Sequence, residues 1–137
     1  MIVLPVEADG ALAVGWATVE LERAGLELAH LLAPGSVFAE APSSMILGAR
    51  CRVGVAAATA DLRIVLLEPE TEGRLAGALA RSGEGWVATW ALDPSAGVPV
   101  GHVSTGRAGP FGEERQLFGS TATGPYHLLI EAVPSPP

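Results

Sequence analysis

The chain has 137 residues, of which 49% are hydrophobic, and its formal net charge at pH 7 is −7. That length suggests one domain, or two small modules that share a core, and the hydrophobic content favours a buried core over disorder. All eight basic residues are arginine, so Schiff-base chemistry is excluded and the acidic balance argues against nucleic-acid binding. No apolar run reaches the roughly 20 residues of a membrane helix, and the N-terminus lacks the basic region of a signal peptide, so we expect a soluble, cytoplasmic protein.

The first half of the chain has the pattern of a strand, a helix and three more strands. Residues 11–21 are apolar with small residues interleaved, which is typical of a strand covered on both faces. Residues 20–33 carry leucine and alanine at helical spacing and end at Pro34-Gly35, which predicts an amphipathic helix. Further strands are predicted at 36–42, 49–58 and 62–69, the last two forming a hairpin across a turn at 59–61.

A short helix is predicted to link this half to the second. Residues 71–83 begin at a candidate N-cap, Thr71, and end at Gly83, with Leu75 and Leu79 on one side. The strand pattern resumes at 86–92, and after a loop at 93–101 it predicts strands at 102–109, 113–120 and 126–133. The second half therefore repeats the element order of the first with its helix reduced or missing, which predicts an α+β fold.

The single cysteine, Cys51, permits no internal disulfide. Its neighbours Arg50 and Arg52 could lower the pKa of a thiol, but in a strand their side chains point to the opposite face. A buried core thiol is the favoured interpretation, and a reactive thiol is the alternative.

Three segments resemble the vicinal oxygen chelate superfamily, the fold of glyoxalase I, methylmalonyl-CoA epimerase and the bleomycin-resistance proteins. IVLLEPETEGRLAGALARSGEGW (64–86) is similar to the segment that joins the two modules in epimerase-like members, where an LLEP strand end and a linking helix lead to GEG. PFGEERQLF (110–118) with YHLLIEAV (126–133) resembles the closing strands, and VGWATVELERA (14–24) resembles the opening strand and helix. The resemblance covers about residues 12–133.

The resemblance implies two paired βαβββ modules that form a curved, cup-shaped mixed sheet. Module one would span about 11–70, the linking helix about 71–83 and module two about 85–133, within a single domain. The resemblance also implies one divalent metal held by four inward side chains, at positions that we place at Trp16, Val65, Ala88 and Glu131.

Three of these four side chains cannot ligate a metal, because indole N–H is only a donor and valine and alanine offer no lone pair. One carboxylate does not hold a catalytic metal. We therefore expect no metal and no cofactor. The alternative is a site rebuilt from His30, His102, His127 and Glu131.

Side-chain alternation places further residues in the cup. If Ala88 faces inward, so do Trp86 and Trp90, and the same argument places Trp16 beside Thr18 on the inner surface. Two interpretations stay open: the three indole rings pack the cup shut, or they line a pocket for a flat or cationic organic molecule. The predicted ligand-binding residues are Trp16, Thr18, Arg63, Val65, Leu67, Trp86, Ala88, Trp90, Leu129 and Glu131.

Glu131 is the candidate catalytic residue. Buried beside tryptophan and unpaired, it could act as a general acid or base, whereas pairing with Arg115 or Arg63 would make it structural. The expected function is metal-free binding of a small apolar or aromatic molecule. The alternatives are an isomerase or lyase-type enzyme that uses Glu131 and a non-catalytic dimerisation module. Exposed sheet edges and an apolar helix face predict a homodimer, and no nucleic-acid or membrane partner is expected.

Overall fold

A computed structural model of the chain describes residues 2–8, 10–70, 72–92, 103–117 and 126–130. The described residues form two α-helices, α1 (Leu21–Leu28) and α2 (Arg74–Ser82), and short 3₁₀ turns at Val6–Ala8 and Ala29–Leu31. The strands are β1 (Ala13–Ala17), β2 (Ala39–Ser44), β3 (Ala49–Val55), β4 (Arg63–Pro69), β5 (Gly85–Leu92), β6 (Arg107–Gly109), β7 (Gly112–Gln116) and β8 (Tyr126–Ile130). None of the described helices is long and apolar enough to span a membrane.

All eight strands belong to one mixed sheet in the order β2-β3-β4-β1-β5-β8-β7-β6. The central strand β1 pairs in parallel with β4 and antiparallel with β5, and β5 pairs in parallel with β8. The outer strands also approach each other, since the Met45 amide after β2 donates to the Ala108 carbonyl of β6 at 2.9 Å. The sheet is therefore curved and nearly closed, which confirms the predicted α+β cup.

Helix α1 packs on the outer surface of the sheet. Leu21, Ala24 and Leu28 are buried against Ile64 and Leu66 of β4. The sequence predicted a helix to residue 33, but the α-helix ends at Leu28. Beyond the 3₁₀ turn the chain hydrogen-bonds to the end of β3, where the amide of residue 33 donates to the carbonyl of residue 55 at 2.9 Å.

Helix α2 lies within the segment predicted as the linking helix and covers one end of the barrel, because Leu75 is buried in the interior. Its N-cap is Gly73, whereas the predicted N-cap Thr71 lies outside the described residues. Gly83 ends the helix with a positive φ of 74°, which favours glycine. The module boundaries at about 11–70 and 85–133 stay a prediction. Of the residues between β5 and β6, the structure describes 103–106, and none of these is helical.

The sheet separates two apolar clusters. The outer cluster lies between the sheet and α1, and the interior cluster lies inside the barrel. The buried members of the interior cluster are Ala13, Ala17, Leu47, Ala49, Cys51, Val65, Leu67, Leu75, Ala88, Trp90, Leu128 and Ile130.

Cys51 is buried in the interior cluster, which confirms the core thiol expected from the sequence. Burial raises the pKa of its thiol to about 12. Arg50 and Arg52 do not offset that effect, since both pair with Glu40 at partly exposed positions.

Cys51 should therefore resist modification in the folded protein, because a thiol with that pKa holds almost no thiolate at mildly alkaline pH. We expect Ellman's reagent to react with less than a tenth of the native protein in the time that labels the urea-unfolded chain fully, an order-of-magnitude difference. Rapid stoichiometric labelling under native conditions would contradict the burial.

Candidate functional site

Three residues form a row across the middle of the inner surface, which we call the central row. Gly15 of β1 pairs with Val65 of β4 on one side and with Ala88 of β5 on the other. Val65 and Ala88 lie in the interior cluster, as do Ala13 and Ala17, which flank Gly15 by two positions on β1. The inward residue of β1 is therefore Gly15, and the assignment of Trp16 to the cup is wrong by one residue.

Trp16 and Trp86 lie on the outer side of the sheet, against the outer cluster. Their rings contact edge to face, with centroids 5.1 Å apart and planes at 85°. The register of the β1–β5 pairing shifts between Gly15 and Trp16, so that Gly15 pairs with Ala88 but Trp16 pairs with Trp86. Val87 is the extra residue of this β-bulge, and the bulge breaks the alternation that predicted an inward Trp86.

Trp90 does face inward, as predicted, and it fills the space in front of the central row. Its side chain is fully buried. A Cβ atom added to Gly15 would lie 2.9 Å from Cζ3 of Trp90 and 2.8 Å from Cδ1 of Leu67. Phe111 packs against the same indole edge to face, at 5.8 Å between centroids. The described interior at this point is packed with side chains.

Glu114 of β7 is the interior polar residue that sequence reasoning missed. It is fully buried, its Oε1 accepts the indole N–H of Trp90 at 3.0 Å and its Oε2 accepts the Ser44 hydroxyl at 2.6 Å. Gly109 of the adjacent strand leaves room for this carboxyl, because a side chain there would collide with it. Burial raises the pKa of Glu114, and the hydrogen bonds from Ser44 and Trp90 oppose that rise.

The other predicted site residues are divided between the two faces and the ends of the sheet. Val65 and Leu67 lie in the interior, and Arg63 begins the same strand, buried and donating to the Ala60 carbonyl at 2.7 Å. The prediction for Leu129 is wrong, because its neighbours Leu128 and Ile130 are the inward residues of β8 and Leu129 therefore points outward. Glu131 lies outside the described residues.

Thr18 is likewise not part of the inner surface. Thr18 follows β1, and its hydroxyl donates to Oε2 of Glu84 at 3.1 Å. The same carboxylate oxygen accepts a hydrogen bond from the Val19 amide at 3.0 Å. Arg23 of α1 pairs with Glu84, and the hydrogen bond between them lowers the pKa of Glu84. Thr18 therefore helps to hold the start of α1 against the segment that leads into β5.

The residues of the central row do not fit a divalent metal. Glycine, valine and alanine side chains offer no donor atom to a cation. His30 bonds the Ile2 carbonyl, His127 bonds Thr89, and His102 lies outside the described residues. In the part of the chain that is described, no three His, Cys, Asp or Glu residues are grouped so as to hold a metal.

A polar cavity of about 370 Å³, here called the end cavity, lies beside the first residue of α2. Gln116, two residues after Glu114 on β7, contributes to its wall, so it lies at one end of the barrel interior. The end cavity is lined by Ile46, Arg74, Ser104, Thr105, Arg107 and Gln116. A larger depression of about 530 Å³ lies on the outer surface beside α1 and includes Leu26 and Phe38.

Solved structures share this fold across nearly the whole chain. The methylmalonyl-CoA epimerase of Mycobacterium tuberculosis superposes with a TM-score of 0.69 at 22% identity, covering 97% of this chain and 94% of the epimerase. A point mutant of the methylmalonyl-CoA epimerase of Streptomyces coelicolor, in complex with 2-nitronate-propionyl-CoA, gives a TM-score of 0.65 at 21% identity, covering 92% of this chain and 97% of the epimerase. A mutant 4-hydroxymandelate synthase from Streptomyces coelicolor gives 0.60 at 13% identity, covering 92% of this chain and 39% of the synthase.

These neighbours are members of the vicinal oxygen chelate (glyoxalase-like) superfamily, so the chain has the fold that its sequence resembles. No family model matches the chain, and no curated protein matches it either. At these identities the likeness establishes the fold, and the site has to be argued from the residues themselves.

Replacing Trp90 by phenylalanine should cost about 2–4 kcal/mol in the free energy of unfolding, because it leaves a buried Glu114 oxygen without its donor and shrinks a fully buried ring. Trp86→Phe is the matched control. Its indole N–H donates to the Val3 carbonyl at an exposed site, so its loss should cost about 1 kcal/mol or less. Urea denaturation of both variants measures the difference, and equal costs would contradict the Trp90–Glu114 interaction.

Glu114→Gln should change how stability depends on pH. Because its pKa is raised in the folded protein, Glu114 keeps its proton at pH values just above 4.5, where the same residue in the unfolded chain has largely lost it. Wild-type stability should therefore fall, relative to the variant, as pH rises from 4.5 through the folded-state pKa. Urea denaturation at a series of pH values measures the difference in the free energy of unfolding between wild type and variant.

Glu113→Gln is the control for that experiment, since Glu113 is exposed and lies 3.7 Å from Arg115 at the surface. Its stability should run parallel to the wild-type curve. Parallel curves for Glu114→Gln and wild type would show that the buried carboxyl carries no such proton linkage.

Proposed function

We propose that this protein is a metal-independent small-molecule binding protein built on the glyoxalase fold. The observation that supports the proposal is the central row of Gly15, Val65 and Ala88, which offers no donor atom and is covered by Trp90. Without donor atoms, the central row cannot hold a cation through which a substrate could be chelated.

We place the ligand in the end cavity, beside the first residue of α2. The interior around Trp90 is packed with side chains. The predicted contact residues Val65, Leu67 and Ala88 are therefore core residues that do not touch a ligand directly. The end cavity has about 370 Å³, within the roughly 300–1,000 Å³ range of small-molecule sites. The epimerase of Streptomyces coelicolor was solved with an acyl-CoA analogue, so acyl-CoA thioesters belong in a first ligand panel.

The two alternatives from the sequence make different predictions. An isomerase or lyase activity with Glu131 as the acid or base requires turnover that Glu131→Gln abolishes. A dimerisation module requires self-association without a ligand. The predicted homodimer is tested by light scattering, where a dimer has twice the 14.0 kDa of the chain.

Metal-independent binding is tested by a thermal-shift screen in the presence of EDTA. A ligand at about 100 times its dissociation constant adds about 2.7 kcal/mol to the free energy of unfolding and should raise the melting temperature by several degrees. We expect at least one organic anion of the panel to do so without added metal. Metal analysis of the purified protein should find no stoichiometric divalent cation.

Ligand effects that appear only when Mn²⁺, Co²⁺ or Zn²⁺ is restored would overturn this proposal. The same holds for a stoichiometric divalent metal in the purified protein, because it would require donors that the central row lacks. A panel without any stabilising ligand would favour the dimerisation module.

A further inference from the structure

The depression on the outer surface beside α1 combines a cavity with exposed apolar side chains, and we call it the α1 groove. One of its walls is α1 itself, and the other is formed by the segment just before β2 together with Arg52 of β3. Leu26 on the α1 wall is 82% exposed, and Val37 on the facing wall is 73% exposed. Exposed apolar groups that are gathered around a concave surface typically mark a contact with another molecule, whereas scattered ones do not.

Both parts of a knob-and-groove contact are present on this one surface. Leu26 projects from α1 into solvent, and the α1 groove beside it has about 530 Å³. Gly25 and Ala29 have no side chain or a small one, so they leave the α1 wall open for an incoming side chain. A surface that carries both a projecting side chain and a recess is suited to a two-fold contact, because the same patch of each copy then meets the other.

The two walls of the α1 groove carry opposite charges. Glu22 lies on the α1 wall and makes no ion pair with any of the described residues. Arg52 on the facing wall shares Glu40 with Arg50, so two guanidinium groups are paired with one carboxylate. Within the described part of the chain Arg52 donates to Glu40 through Nε alone. Its terminal N–H groups therefore keep their donors for a second carboxylate.

We propose that the α1 groove is the interface between two copies of this chain, related by a two-fold axis through the middle of the groove. That axis places Glu22 of each copy opposite Arg52 of the other, and it packs Leu26 of each copy on the other's apolar wall at Val37. The opposite charges favour a second copy over an unrelated protein, because the axis exchanges the walls and each charge then meets its complement. This inference goes beyond the proposed function, since the α1 groove is separate from the end cavity.

The first test is analytical ultracentrifugation of the full chain over a range of concentrations at low ionic strength. We expect a dimer with twice the 14.0 kDa of the chain. Leu26→Glu should raise the dissociation constant of the dimer about a hundredfold, because it places an unpaired charge in an apolar contact. Since Leu26 is exposed and glutamate is a good helix former, this variant should fold like the wild type.

Val6→Glu is the matched control, since Val6 is 89% exposed and lies outside the α1 groove. It adds the same charge and should leave the dissociation constant unchanged. Equal dissociation constants for Leu26→Glu and Val6→Glu would place the interface elsewhere and overturn the inference. A monomeric wild type would also overturn it and would leave the groove to a small molecule or an unrelated protein.

A charge exchange tests the two-fold arrangement. Glu22→Arg and Arg52→Glu should each weaken self-association about tenfold, because like charges then meet twice in every dimer. An equimolar mixture of the two variants should form a heterodimer with close to wild-type affinity, since opposite charges meet at both contacts. Native mass spectrometry identifies the heterodimer by its mass, and circular dichroism melts confirm that both variants are folded. A mixture that associates no better than each variant alone would overturn the two-fold arrangement.

Discussion

The contact between Trp90 and the bare backbone of Gly15 organises the interior of this barrel. Glycine leaves a gap on β1 that the indole of β5 fills, and the indole N–H is then satisfied by Glu114 on β7. The second carboxyl oxygen of Glu114 is bonded by Ser44 of β2. These contacts connect four strands, from both halves of the sheet, through the buried Trp90–Glu114 pair. A carboxyl group in such low-dielectric surroundings is stable only where hydrogen-bond donors are directed at it.

This packing decides which functions the fold can support. The family resemblance implied metal-binding side chains in the middle of the inner surface, whereas the central row carries hydrogen, isopropyl and methyl side chains. Space and polarity remain at the end of the barrel, where Arg74, Arg107 and Gln116 face a cavity beside α2. Recognition by hydrogen bonds and charge is the chemistry that such a wall offers.

The structural neighbours illustrate how loosely a fold constrains its site. The epimerases superpose over more than nine-tenths of the chain although only about a fifth of the residues are identical. Strand order and curvature depend on backbone pairing and on small or apolar residues, which many sequences supply. Ligand chemistry depends on single side chains such as those at positions 15, 65 and 88, and these change without disturbing the pairing.

The sequence by itself determined the order of elements, the helix between Pro69 and Gly83 and the absence of metal donors at Val65 and Ala88. Those features depend on local periodicity, turn residues and side-chain chemistry, all of which are written along the chain. It did not determine which face of β1 is inward, because a strand that is apolar on both sides carries no alternation that marks its inner face.

Only the tertiary structure decided the remaining features of the site. The bulge at Val87 turns Trp86 outward, and it exists because of how β5 pairs with β1. The segment 113–114 holds two adjacent glutamates, and strand pairing alone selects Glu114 for the interior. The end cavity joins α2, the turn after β2 and the β6–β7 hairpin. Contacts between segments so distant in sequence are set by closure of the sheet, a long-range constraint that no local pattern encodes.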